Sequence, residues 1–76
     1  MIDEDDPRPL YVQLADRLRE QIRTGEITGR MPSEKTIQQE TGLAPMTIRK
    51  AVRILRDEGL VVTVSGRGSF VKRDAP

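Results

Sequence analysis

Cysteine, histidine and tryptophan are all absent from these 76 residues, and Tyr11 and Phe70 are the only aromatic side chains. Without cysteine there is neither a disulfide nor a thiolate metal site to reinforce so small a fold. Without histidine the commonest catalytic base and metal ligand is missing too. No nucleophile elbow or phosphate-binding loop occurs, and the paired carboxylates Asp5 and Asp6 fall in a polar terminal stretch. No catalytic residue, metal or cofactor is therefore assigned, and an enzyme is not expected. No apolar run approaches the length of a membrane span, and Asp3-Glu4-Asp5-Asp6 is the opposite of a basic, apolar leader, so a cytoplasmic protein with no membrane partner is expected. What is left is one small domain with an aliphatic core and modest stability.

Charge is what the chain does have. The formal net charge is only +1, but dividing the sequence after Leu43 separates two unlike parts. The front sets six cations against nine acids and the back sets seven cations against three, a net −3 followed by +4. That asymmetry favours a polyanionic partner, although a basic helix face is in many proteins only solvated surface.

Residues 1–8 are acidic and aperiodic and read as a flexible arm ended by Pro7 and Pro9. Leu10, Leu14, Leu18 and Ile22 then repeat every four residues, which predicts an amphipathic scaffold helix ending near Thr24 and Gly25. Residues 25–32 hold two glycines and a proline and read as a loop, with one bridge-like residue near Met31. Ser33 is positioned to cap a short second helix that starts with Glu34 and stops before Gly42, with Ile37 as its one strongly apolar residue. A third helix is expected over 45–58, opened by Pro45 and stopped by Gly59. Its Ile48, Ala51, Val52 and Leu55 fall on one side, and Arg49, Lys50, Arg53 and Arg56 on the remaining surface. The alternation of Leu60, Val62 and Val64 with Val61 and Thr63, the turn Ser65-Gly66-Arg67-Gly68 and the extended Ser69-Phe70-Val71-Lys72 predict a β-hairpin with a basic tip. Three helices followed by such a hairpin make a mostly α winged helix-turn-helix over 9–73, with 74–76 as a linker start or tail. In that architecture the third helix enters the major groove of DNA and the 65–68 wing lies on the minor groove or backbone.

Five blocks in order carry a resemblance. They are Pro9-Leu10-Tyr11-Val12-Gln13-Leu14-Ala15-Asp16, Met31-Pro32-Ser33-Glu34, Thr47-Ile48-Arg49-Lys50-Ala51-Val52, Asp57-Glu58-Gly59-Leu60-Val61 and Gly66-Arg67-Gly68-Ser69-Phe70-Val71. Over 9–71 the chain resembles the N-terminal reading head of GntR-type bacterial transcription regulators, in particular their HutC-like branch. The resemblance implies a homodimer on a palindromic operator, acting as a repressor in the bacterial cytoplasm, with an effector sensed only by a further C-terminal domain. Carried over residue by residue, it singles out Lys35, Thr47, Arg49, Gly66 and Arg67 for contact with double-stranded DNA. Lys35 stands where an arginine is usual, which keeps the charge and loses the planar fork, so phosphate is its expected target. Ala44-Pro45 replaces the usual Ser-Arg or Thr-Arg, which removes a helix cap and a guanidinium and implies an operator unlike the usual one. The loop before Pro32 is also short, and Gln38 and Thr41 stand where small or apolar residues are usual.

Each assignment has a plainer counterpart. Arg49 either reads a guanine edge or pairs with an acid such as Asp57 or Glu40, and Lys50 and Arg53 either touch phosphate or are solvated. Arg56 suits the negative end of its helix. Arg67, between two glycines at a hairpin tip, has little to pack on, while Gly66 and Gly68 also answer to turn geometry. Thr47 either bonds back into its helix or meets phosphate. Tyr11, Phe70 and the methionines are read as core filling. The alternatives to a transcription regulator are a winged-helix module that docks an acidic protein and a stand-alone plasmid or phage DNA-binding factor without effector sensing.

Overall fold

In a computed structural model of the chain, residues 5–72 are described. The first helix, α1 (Leu10–Arg23), starts at Pro9, whose extended backbone (φ −54°, ψ 146°) occupies the capping position and whose carbonyl accepts the Val12 and Gln13 amides. Leu14, Ala15 and Leu18 are buried, but the ends of the four-residue stripe are not: Leu10 is 40% exposed and Ile22 half-buried. Gln13 is buried in their place. Its amide donates to the Arg8 carbonyl at 3.0 Å, because the turn before α1 folds back over the helix start. Residues 1–4 of the expected arm and the expected tail at 74–76 lie outside the described residues. The rest of the arm is tied to α1 through Arg8, which bonds both Asp6 and Asp16.

Helix α2 (Glu34–Thr41) begins as expected, with the Ser33 hydroxyl accepting the Thr36 amide at 3.1 Å, and ends at Gly42 with a left-handed backbone of φ 73°. Thr41 has a local reason to be polar. Its hydroxyl donates to the Ile37 carbonyl at 2.7 Å and accepts the Leu43 amide at 3.2 Å, carrying the chain out of the helix. Helix α3 (Pro45–Asp57) buries Ile48, Ala51 and Leu55, with Val52 half-buried beside them, and packs mainly on α1. Among the described residues no helix is long and apolar enough to cross a membrane.

The antiparallel strands β1 (Val61–Val64) and β2 (Gly68–Val71) pair from Val61↔Val71 to Val64↔Gly68, and the Arg67 amide closes the tip onto Val64. The packed face carries Val61 and Val71; Val62 and Val64 point outward, each 42% exposed. Within β1 the apolar pair Val62 and Val64 is therefore not the core face, since one step of register sends alternate side chains to opposite sides, while Leu60, just before the strand, packs against the core. A bridge joins the loop to β2 at Arg30↔Phe70, one residue before the expected Met31, whose side chain enters the core instead. The core is otherwise aliphatic. Of the methionines, Met31 fits the core reading, Met46 is 58% exposed and Met1 lies outside the described residues, while Tyr11 and Phe70 are half-buried.

Arg19 ties α1 to the end of α3. Its guanidinium donates twice to Glu58, at 2.7 and 2.9 Å, and once to Asp16 at 2.7 Å. These hydrogen bonds hold both carboxyls below the usual carboxylate range. A carboxyl with a depressed folded-state pKa adds stability above its unfolded pKa and loses that contribution as pH falls through the folded value. Acid titration from about pH 5 downward should lower the unfolding free energy, and Glu58→Gln should reduce that slope. Because these side chains are about two-fifths exposed, the effect is below about 1 kcal/mol. The start of α3 yields a second expectation. Ala44 has the backbone of a capping residue (φ −68°, ψ 149°), close to that of Ser33 (φ −68°, ψ 159°), but no side-chain oxygen. Ala44→Ser should raise stability by about 1 kcal/mol, read from the urea midpoint.

Candidate nucleic-acid interface

The core side of α3 dictates what its other side presents. With Ile48, Ala51 and Leu55 turned inward, Met46, Arg49, Lys50 and Arg53 are left exposed, at the i, i+3, i+4 and i+7 spacing of one helix face. A groove of about 510 Å³ runs along that helix and is also lined by Glu34 of α2 and by Thr63 and Ser69 of the hairpin. Three structural elements thus border one concavity.

Arg49 is ion-paired, though not to Asp57 or Glu40. Its Nε donates to Glu34 Oε2 at 2.9 Å and its Nη2 to Glu34 Oε1 at 3.0 Å. The sequence had offered Glu34 only as a favourable charge at a helix start. Fifteen residues separate the pair, and only the turn between α2 and α3 brings them together. The pairing uses one side of the guanidinium and leaves the Nη1/Nη2 edge with its protons unspent, the edge that suits two acceptors on a base.

Arg56 is held by the hairpin, with Nη1 donating to the Thr63 hydroxyl at 3.1 Å and Thr63 sharing a hydrogen bond with Ser69, also at 3.1 Å. That chain of polar contacts links the wing to α3. Lys50 lies over the Tyr11 ring, 5.5 Å from its centroid, so Tyr11 serves as a cation platform as well as a packing group. Arg53 makes no ion pair among the described residues. The half-buried Thr47 forms no side-chain hydrogen bond there either, which leaves its hydroxyl unused by the helix.

The expected residues divide into two sets. Arg49, Lys50 and Arg53 line the groove. Lys35, Thr47, Gly66 and Arg67 do not: Lys35 is exposed one residue past Glu34, and Gly66 and Arg67 are exposed at the hairpin tip, where Gly66 takes φ 77°. Two residues were missed. Met46 stands exposed on the groove although its residue type suggests a core; its spacing from Arg49 and Arg53 was the available signal. Arg30 reaches the hairpin through a bridge that no local pattern announces.

Known proteins share this arrangement. The chain is 39% identical over 69 residues to the mannosyl-D-glycerate transport/metabolism system repressor MngR of Escherichia coli, covering 88% of this chain and 29% of that protein. It therefore spans under a third of that curated relative. Its fold superposes on YtrA from Sulfolobus acidocaldarius, a GntR-family transcription factor, with a TM-score of 0.87 and 34% identity over 99% of this chain and 81% of the other. It also matches AraR(DBD) in complex with operator ORX1, with a TM-score of 0.82 and 32% identity over 92% of this chain and 87% of the other. Residues 10–71 match the family model for bacterial regulatory proteins, gntR family. A match across that span, with helices and wing in the same order, means that the chain belongs to the GntR family.

Proposed function

We propose that this domain reads double-stranded DNA in a sequence-specific way as the operator-binding head of a bacterial transcription repressor, working in the cytoplasm as a homodimer on a palindromic site. The observation that carries the reading is the groove itself, along which Arg49, Lys50 and Arg53 stand exposed on the face of α3 opposite its buried side chains. Family membership and the likeness to an operator-bound domain support it. In this reading α3 enters the major groove and the tip at 65–68 meets the minor groove or the backbone. Lys35 and Thr47 contact phosphate, Lys50 and Arg53 neutralise further phosphates, and Gly66 lets the backbone approach closely beside Arg67. An effector ligand belongs to this reading only where a further C-terminal domain accompanies the head.

Arg49 has the geometry for base readout. Glu34 fixes one side of its guanidinium and so limits the freedom lost on binding, while the outer edge matches the O6 and N7 acceptors of guanine. Selection of bound duplexes from a random pool should return a palindrome, and Arg49→Ala should relax one position per half-site at a cost of about 1–3 kcal/mol. A uniform loss over all sequences would instead assign Arg49 to phosphate. The exposed Arg49–Glu34 pair, with side chains 61% and 39% accessible, contributes below about 1 kcal/mol to folding. Arg49→Ala should therefore unfold nearly as the parent does in urea while binding far more weakly. Affinity should fall steeply with salt, by a log–log slope of about 0.9 per neutralised phosphate; absence of binding to any duplex at low salt would refute the proposal.

A further inference from the structure

Arg30 belongs to the acidic half of the chain by sequence and to the wing by structure. The bridge Arg30↔Phe70 and the hydrogen bond from the Met31 amide to the Ser69 carbonyl, 2.8 Å, lay this part of the loop along β2. The side chain then runs to the hairpin tip. A Cβ built on Gly68 would stand 3.4 Å from Arg30 Nη2 and 3.5 Å from its Nε, so the guanidinium rests on the bare backbone of the glycine that follows Arg67. Gly68 has φ 104°, a conformation other residues avoid, and a Cβ there would lie at ordinary contact distance from the guanidinium, so it is the backbone shape that calls for glycine.

Arg8, Arg19 and Arg23 each meet a carboxylate. Arg30 does not: among the described residues its guanidinium has no ion pair and no side-chain hydrogen bond, and the residue is exposed. A planar cation with five donors thus lies against the backbone next to Arg67, and among the described residues neither arginine makes an ion pair. Arg30 so placed adds an unpaired guanidinium at the residue next to Arg67, and phosphate accepts the guanidinium fork in the geometry it offers.

We propose that Arg30 is a further DNA-contacting residue, which sets a second guanidinium beside Arg67 at the wing to grip a backbone phosphate where the tip meets the duplex. The inference rests on the DNA-binding reading above and adds to it a residue outside the helix-turn-helix and outside the hairpin. Gly68 acts as the seat that positions it.

The test measures affinity for the selected operator duplex by fluorescence anisotropy at 50 and 200 mM salt, for the parent, Arg30→Met, Arg30→Gln and Arg30→Lys, with folding checked by circular dichroism. Loss of one phosphate contact reduces the salt slope by about 0.9, so the deficit of Arg30→Met should be about 3- to 4-fold smaller at 200 mM than at 50 mM. Arg30→Gln should behave alike, and Arg30→Lys should restore the parental slope. The relative order of preferred sequences should stay the same, as befits a phosphate contact. If the parent binds and both neutral variants, folded, bind equally well with the same slope, the role of Arg30 is overturned while the DNA reading stands. If the parent binds no duplex, both fall together.

Discussion

The structure depends on the burial of one side of α3. Ile48, Ala51 and Leu55 are almost wholly removed from water against α1, and burial contributes about 1.5–3 kcal/mol for each of Ile48 and Leu55 and about 0.8 kcal/mol for the Ala51 methyl. In a domain without disulfides, whose whole stability is a small difference between large terms, that is a large share. Rotating the helix by even a third of a turn would exchange these residues for Arg49 or Arg53. The packing that makes the domain stable is thus also what aims its cations outward.

The elements flanking α3 share its apolar core through Ile37 and Val61 and are also linked to it by polar contacts. Glu34 at the start of α2 grips Arg49, and the Thr63 hydroxyl on β1 accepts a hydrogen bond from Arg56. Neither contact is buried, so neither adds much to stability. Their effect is on orientation. They fix the angles at which a capped helix start and a hairpin meet the recognition helix, and a groove results whose floor is one helix and whose sides are two other elements.

Most of the architecture was legible because local chemistry agreed with global packing. Ser33 capped α2, Gly42 and Gly59 left their helices with positive φ, and the three-plus-hairpin order followed from periodicity and turn residues. What stayed illegible was everything set by tertiary pairing. The face of β1 that packs is Val61, not Val62 and Val64, because alternation alone does not say which side meets the core. Gln13 is buried because the turn at 6–8 covers it, and Arg49 found Glu34 because two helices cross, neither of which a linear pattern encodes. Within the site, the cations of α3 could be read from helical spacing, whereas Arg30 became visible only once the loop was paired with β2.

Charge segregation along the sequence is accordingly only part of the electrostatic design. Three acids of the front half, Asp6, Asp16 and Glu20, pair with its own arginines, while Glu34 is the one acid bordering the groove among the described residues. Mapping backbone amide shifts on titration with the selected operator duplex tests the central claim most directly. The account predicts perturbations concentrated at residues 33–35, 46–53 and 66–68, with little change over residues 16–20 of α1. Shifts centred on α1 with α3 and the wing unmoved would contradict it.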